Sequence, residues 1–125
     1  MANPNIVAVT SIYGKSWQAA LTTTTTTELL GLSGGIPDNK VYKINSIVIA
    51  NIDGTNSATV TMGIFKKDGA LISFASTIAV PADASLVLVD KNWGLYLEEE
   101  DQLQGGASAT GDLTCTISYE ILDDA

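Results

Sequence analysis

The chain has 125 residues, of which 46% are hydrophobic, so it has the length of one ordinary domain and can bury a core. Its 14 acidic residues outnumber its 6 lysines, which gives a net charge of -8, and it contains neither histidine nor arginine. These numbers argue against a basic surface for nucleic acid. They exclude histidine-based acid–base catalysis and bidentate arginine clamps for anions.

A single cysteine, Cys115, makes an internal disulfide impossible, so folding needs no oxidising compartment. No apolar run approaches the roughly 20 residues that span a bilayer. The start, MANPNIVAVT, lacks the basic and apolar regions of a signal peptide. We therefore expect a product made in the cytoplasm, with neither a membrane nor a nucleic acid as its partner.

The first third of the chain reads as strand interrupted once. Asn5–Tyr13 is rich in β-branched residues and predicts the first strand, and Gly14-Lys15 predicts a turn. Trp17–Leu30 contains six consecutive threonines, Thr22–Thr27, and threonine favours strands because its β-branching restricts χ1. This predicts a solvated or edge strand, or else a stretch that a neighbouring subunit covers and whose register that subunit helps to define.

The middle of the chain predicts a long hairpin after a loop at Leu32–Asn39. Val41–Phe65 reads as two long strands joined by a polar turn at Asn51–Ser57. The first of these strands is apolar almost throughout, which is typical of a strand covered on both faces. The second alternates, which predicts one buried and one wet face, with three residues pointing one way: Val60, Met62 and Ile64.

The second half predicts short strands at regular intervals. An Asp-Gly turn after Lys66 leads into a strand at Ala70–Val80, Pro81–Asp83 breaks it, and Ser85–Val89 predicts a buried strand. Further strands are expected at Gly94–Leu97, Leu103–Ala109 and Leu113–Leu122.

The last two of these strands carry further information. Gly105-Gly106 indicates a bulge or a close backbone approach. The final strand alternates most regularly, with one apolar face: Leu113, Cys115, Ile117, Tyr119 and Ile121. The pattern predicts an all-β chain, an antiparallel β-sandwich that is jelly-roll-like with about eight strands. We expect a single domain over residues 1–125, with a short N-terminal arm at about residues 1–5.

No catalytic, cofactor-binding or metal-ligating residue is predicted. Glu98–Asp101 is the densest carboxylate cluster, but its spacing matches no calcium loop, and a solvated strand end is favoured. Cys115 is expected to be a buried thiol. Trp17, Trp93 and the four tyrosines could line a carbohydrate groove, although packing in the core or at a sheet edge is favoured.

The order of short motifs between Lys40 and Leu122 resembles that of small accessory virion proteins of tailed bacteriophages, of the capsid decoration (cement) type. The resemblance covers about two-thirds of the chain. The motifs that carry it are Ala50-Asn51, Ala58–Thr61, Pro81-Ala82, Leu86–Leu88, Leu95–Glu99 and Ile117–Glu120.

This resemblance implies a non-enzymatic virion structural protein on the capsid exterior. It would form a homo-oligomer, by expectation a trimer, that binds the major capsid protein at subunit junctions and stabilises the head. Neutral polar edges suit such contacts. The candidate interface residues are Ala2, Asn3, Pro4, Asn5 and Ile6 of the arm, and Thr22, Thr23, Thr24, Thr25, Thr26 and Thr27 of the threonine run.

Three other functions stay open. A neck, tail or baseplate component could use the same sandwich. A carbohydrate-binding module would expose Trp17 or Trp93. An enzyme would need converging carboxylates in a cleft, for which Asp90 with Glu98–Asp101 is the remaining candidate.

Overall fold

The computed structural model describes residues 11–24, 28–30, 35–37, 39–66 and 71–123. This part of the chain contains nine strands and one short 3-10 turn at Lys91–Trp93, and it contains no α-helix. None of its helical segments is long and apolar enough to cross a membrane. The strands are β1 (Ser11–Ala20), β2 (Glu28–Leu30), β3 (Lys40–Asn51), β4 (Ala58–Phe65), β5 (Leu71–Val80), β6 (Ser85–Val89), β7 (Leu95–Leu97), β8 (Gln102–Ala107) and β9 (Leu113–Asp123).

The strands form two antiparallel sheets that pack as a sandwich, which confirms the predicted fold class. The first sheet has the order β1-β9-β3-β6, and β7 also pairs with β3. The second sheet has the order β2-β8-β4-β5. β7 pairs with Tyr42–Ile44 and β6 with Ile47–Ala50, so these two strands occupy successive parts of one edge of β3.

The core lies between the sheets, and β9 supplies its most regular row. The alternate residues of β9 predicted to share a face are all buried, at 8% exposure or less. Their partners on β3 include Ile44, Ile47 and Ile49, which are also buried. The period-2 pattern of the last strand therefore predicted its buried face correctly, because one sheet face meets the core and the other meets solvent.

β3 is not covered on both faces, contrary to the expectation from its continuous apolar run. The pairing with β9 shifts between Ile44 and Ser46, so Asn45 is an extra residue. This bulge turns both Ile44 and Ile47 towards the core although they are three positions apart. Val48 points to the outer face and is partly exposed.

β3 and β4 do not form the predicted hairpin, because they lie in opposite sheets. The buried Asn51 side chain ends β3, and its amide nitrogen donates to the Val80 carbonyl at 2.9 Å. The Asn51 backbone N–H donates to the Ala84 carbonyl at 2.8 Å. These bonds tie the end of β3 to the end of β5 and the turn before β6, so the polar turn carries the chain across the sandwich. β4 instead pairs with β5, as the Asp-Gly turn predicted, with Phe65 opposite Leu71.

The N-terminal third differs most from its prediction. Gly14 and Lys15 form no turn and lie within β1, opposite Glu120 and Tyr119 of β9. β1 ends at Ala20, and Thr22–Thr24 are exposed and lie outside any strand. The Leu21 N–H donates to the Leu113 carbonyl, whereas the Thr22 carbonyl accepts from the Ala107 N–H, each at 2.8 Å. The chain crosses from the first sheet to the second here, which is why Thr22–Thr24 do not continue β1 as a strand.

Two predictions about the first third lie outside the described residues. These are the N-terminal part of the Asn5–Tyr13 strand, with the arm, and Thr25–Thr27 of the threonine run. Of the two alternatives for Gly105, the close approach is correct. The β4–β8 register runs without a break, and a Cβ on Gly105 would lie 3.0 Å from Met62 Cγ and 3.1 Å from the Thr61 carbonyl oxygen. In the predicted buried strand β6, only Leu88 and Val89 are buried.

Candidate interaction surfaces

The acidic turn, Glu98–Asp101, is ion-paired and partly buried, and so differs from the predicted solvated strand end. Asp101 is only 3% exposed, and its carboxylate accepts from Lys66 Nζ at 2.8 Å and from the Glu98 backbone N–H at 2.9 Å. The Glu98 carboxylate accepts from Lys66 Nζ at 2.7 Å. Burial lowers the pKa of Lys66, but the hydrogen bonds to Asp101 and Glu98 outweigh it, so that pKa lies above its ordinary value.

The acidic turn also fixes the segment that precedes β3. Ile36 donates its N–H to the Asp101 carbonyl at 3.0 Å and accepts the Glu100 N–H at 2.9 Å. The backbones approach so closely at Gly35, where φ is +92°, that a Cβ there would lie 2.5 Å from the Glu100 carbonyl carbon. The Asn39 backbone N–H donates to the Glu99 carboxylate. The turn is therefore a structural clamp.

The residues of this clamp and Asp90 were the candidates for a metal site or for converging carboxylates. Within the described ranges, no group of three or more Asp, Glu, Cys or His residues is placed to hold a metal ion. Asp90 caps the 3-10 turn, where its carboxylate accepts from the Asn92 N–H at 2.9 Å. Asp90 thus has a local structural role of its own.

Cys115 is fully buried on the core face of β9, as the alternation predicted. Burial raises the pKa of its thiol to about 12, because the thiolate would lose its hydration. The reactive thiolate is therefore not available at neutral pH, and Cys115 contributes packing.

The two tryptophans lie on different sides of the sandwich and do not share a groove. Trp17 lies on β1 and packs against the core. Trp93 lies in the 3-10 turn between β6 and β7, half exposed, with its ring edge-to-face to Phe74 of β5 at a centroid distance of 5.9 Å. The contact between Phe74 and Trp93 also shows that β5 of the second sheet and the β6–β7 edge of the first sheet meet on one side.

Several large exposed apolar side chains lie on the elements that meet there, which we call the apolar side. Ile72 is 69% exposed, Val87 60% and Trp93 50%. The full set lies on β5, β6, the 3-10 turn and β7: Ile72, Ile78, Val87, Trp93 and Tyr96. Sequence reasoning missed this surface because strand patterns do not show which strands end up as neighbouring edges.

The opposite side carries a second exposed surface, the β1 edge, which is the free edge of Ser11–Ala20. Five successive residues, Ile12–Ser16, are exposed on both faces of the strand. They include Ile12 at 57% and Tyr13 at 48% exposure. Within the described residues β1 pairs only with β9, so the backbone groups on its other side face no described strand.

The predicted interface residues lie partly outside the described structure. Thr22, Thr23 and Thr24 are exposed directly after β1, where the chain leaves the first sheet. Thr25–Thr27 and the arm, Ala2–Ile6, fall outside the described residues. The structure therefore brings Thr22–Thr24 next to one end of the β1 edge.

Comparison with known proteins gives distant likenesses only. No family model and no curated protein matches the chain. Among solved structures, a chain of the capsid of Ralstonia phage GP4 is 13% identical, with 100% of this chain and 93% of that chain covered and a TM-score of 0.42. The tobacco streak virus coat protein, solved as a dimer, is 11% identical, with 91% and 86% covered and a TM-score of 0.34. These values identify no family.

Proposed function

We propose that the chain is a non-enzymatic structural protein of a virion, and more specifically a capsid decoration protein. It binds on the exterior of the head at junctions between major capsid subunits and stabilises the shell. The order of motifs between Lys40 and Leu122 supports this assignment. The observation that carries it is the apolar side, a set of exposed large apolar residues on neighbouring elements of an acidic chain.

The apolar side supports docking because large exposed apolar groups mark interaction surfaces. Trp93 can act as an anchor, since half of its surface is exposed while its contact with Phe74 holds the ring in place. Ile72 lies on β5 of the second sheet and Val87 on β6 of the first sheet. Both are exposed by more than half, so a partner would remove them from water.

The proposed action follows from mass action. A protein that binds the assembled shell but not its dissociated subunits shifts the equilibrium towards the shell. The net charge of -8 disfavours contact with packaged nucleic acid and suits the outer surface. The strand orders of the two sheets support a jelly roll, an arrangement of two Greek keys used by many capsid proteins.

We propose that the chain acts as a homo-oligomer, with a trimer as the form that the resemblance implies. A closed trimer needs two different contact surfaces on each copy. The arm Ala2–Ile6 and the threonine run Thr22–Thr27 remain the candidates for these contacts. Thr22–Thr24 are exposed and uncharged, which suits such a role.

The test is binding to undecorated heads of the phage that encodes the chain. Ile72→Asp places a charge on the apolar side and should weaken binding by roughly a hundredfold, because a buried unpaired charge is costly. Thr110→Asp adds the same charge at an exposed turn residue and is the matched control, with binding unchanged.

Failure of the unaltered chain to bind heads would contradict a decoration role. Immunogold labelling of intact virions would then separate the alternatives. Label at the neck, tail or baseplate would move the proposal there, and absence of the chain from virions would overturn it.

A further inference from the structure

We infer that two copies of the chain associate through their β1 edges, with the two β1 strands antiparallel and centred on Gly14, so that the first sheets of both copies join. This deepens the self-association in the proposed function, but it does not depend on a virion role. The four sheet edges, all formed by described residues, differ in whether another strand can add to them.

Three of the four edges carry features that block addition of another strand. β2 has only three residues and a register shift. β5 has register shifts at two places in its pairing with β4. The edge formed by β6 and β7 is broken by the 3-10 turn Lys91–Trp93. Short edges and bulges are the devices by which proteins prevent edge-to-edge pairing.

β1 has none of these features. Its ten residues pair with β9 in an unbroken register from Ser11 to Ala20. It contains no proline, and Lys15 is its only charged residue. A long, regular, nearly uncharged edge of this kind is a template for strand addition, since its outward backbone N–H and C=O groups can extend the ladder.

The exposed stretch of β1 has a centre that suits self-pairing. Ile12–Ser16 is exposed on both faces, so a second strand can approach without meeting the second sheet of its own chain, and Gly14 is its midpoint. A Cβ built on Gly14 would have no atom within 4 Å, which shows that the sheet face at this residue is open.

Antiparallel pairing of two identical strands allows only certain registers, and one of them fits the side chains. Centring on Gly14 places Tyr13 opposite Lys15 of the other copy twice, and Ile12 opposite Ser16 twice. A lysine stem and ammonium over a tyrosine ring is a favourable contact. Centring on Lys15 would place the two lysines directly opposite each other, which is destabilising.

The same complementarity favours a second copy over another protein. The edge has no acidic residue and one lysine, whereas the chain carries a net charge of -8. Two copies can therefore meet here without opposing acidic residues on the paired strands. The contact is isologous, so it produces dimers, or pairs of larger rings if the chain also forms a trimer.

Disulfide trapping tests the contact and its register together. In Gly14→Cys the two new cysteines would face each other at a Cα separation of about 4.5–5.5 Å. A disulfide accommodates this separation. Buried Cys115 should not compete. Gln18→Cys is the matched control, because Gln18 is exposed on the same strand and in this register would lie roughly 27 Å from its copy.

Under mild oxidation of the full chain, Gly14→Cys should form a covalent dimer in roughly tenfold or greater excess over Gln18→Cys, because pairing raises the effective concentration. Equal cross-linking of both variants, or none in Gly14→Cys, would overturn the inference. Head binding by the unaltered chain is read separately, so failure of the β1 contact is distinguishable from failure of the proposed function.

Discussion

β1 and β5 are both edge strands of ten residues, yet they present different chemistry to a neighbour. β1 pairs with β9 in an unbroken register, so a neighbouring strand could bond to a regular row of its backbone N–H and C=O groups. β5 contains extra residues at two places, and Thr77 has φ +49°, a value that β-branched residues rarely adopt. Its N–H donates sideways to Thr61 Oγ1 at 3.0 Å. A partner would therefore contact β5 mainly through its side chains, because the hydrogen-bond ladder of this strand cannot be extended over its full length.

The comparison of the two strands separates two kinds of contact that the proposed structural role needs. A regular edge suits pairing between identical copies, because the backbone pattern repeats. A bulged edge with Ile72 and Ile78 exposed suits docking onto a different surface through side chains.

The largest effect is expected where the bulged strand meets β4. A Cβ on Gly63 would lie 2.4 Å from the Ile72 carbonyl oxygen and 2.7 Å from Ser73 Cα, both backbone atoms of β5. Gly63→Ala should therefore lower the free energy of unfolding by about 3 kcal/mol. Gly54→Ala is the matched control, because a Cβ there would meet only the Asp83 carboxylate oxygens at 3.6 and 3.8 Å, and it should change that free energy by less than about 0.5 kcal/mol. Urea unfolding measures both, and equal values would contradict the account of the β5 bulge.

The second effect concerns the clamp formed by the acidic turn and Lys66. It joins the end of β4 to the end of β7 and is part of neither β1 nor β5. Lys66→Met leaves the Asp101 carboxylate buried without its cation, which should cost about 2 kcal/mol, since Lys66 itself is half exposed. Lys91→Met, at an exposed lysine in the 3-10 turn, is the control. Cross-linking of Gly14→Cys should survive the Lys66 change. If Lys66→Met lowered the stability and also abolished this cross-linking, the clamp and the β1 edge would be coupled.

The clamp also predicts the direction of a pH dependence. The pKa of Lys66 is raised above its ordinary 10.5 in the folded chain, so its stabilisation is complete below that value. It should be lost as the pH rises through the folded pKa. Urea unfolding between pH 9 and about pH 12 should show this loss in the unaltered chain and a smaller one in Lys66→Met. Identical profiles would contradict the assignment.

A smaller effect is expected from charge substitutions that distinguish the β1 edge from the apolar side. Tyr13→Lys would oppose Lys15 of the other copy and should weaken self-association roughly tenfold. Adding Lys15→Glu should restore it, because the opposed pair then has opposite charges. Val87→Lys, on the apolar side, should leave self-association unchanged while it reduces head binding. Sedimentation equilibrium gives the association constants, and an absence of rescue would exclude the register centred on Gly14.

The smallest effect is expected in the core. Because burial raises the pKa of Cys115 to about 12, a thiol reagent at pH 8 should not modify the folded chain. Modification should appear only in urea, along the unfolding transition. Fast labelling of the native chain would show that β9 opens locally.

The sequence predicted the elements whose pattern is local. β9 alternates between buried and less buried residues from Leu113 to Ile121, and β5 pairs antiparallel with β4, as the Asp-Gly signal predicted. The prediction of a hairpin between β3 and β4 was wrong. The hydrogen bonds that hold Asn51 at the end of β3 are accepted by Val80 and Ala84, about thirty residues further along the chain. The bulge at Asn45 gave β3 a misleading apolar run.

The surfaces were harder to predict than the strands. Gly14-Lys15 has the composition of a turn, and only its pairing with β9 shows that β1 continues through it. The apolar side depends on the strand order of both sheets. β5 is an edge of the second sheet and β6 and β7 form an edge of the first, and these two edges meet at the contact between Phe74 and Trp93. The arm Ala2–Ile6 and Thr25–Thr27 stay predictions, because they lie outside the described residues.

Electron cryo-microscopy of purified virions of the proposed phage tests the central claim most directly. The account predicts density for the chain on the head exterior at junctions between capsid subunits, with Trp93, Ile72 and Val87 facing the shell. Virions that lack the chain, or a bound chain whose apolar side faces solvent, would contradict it.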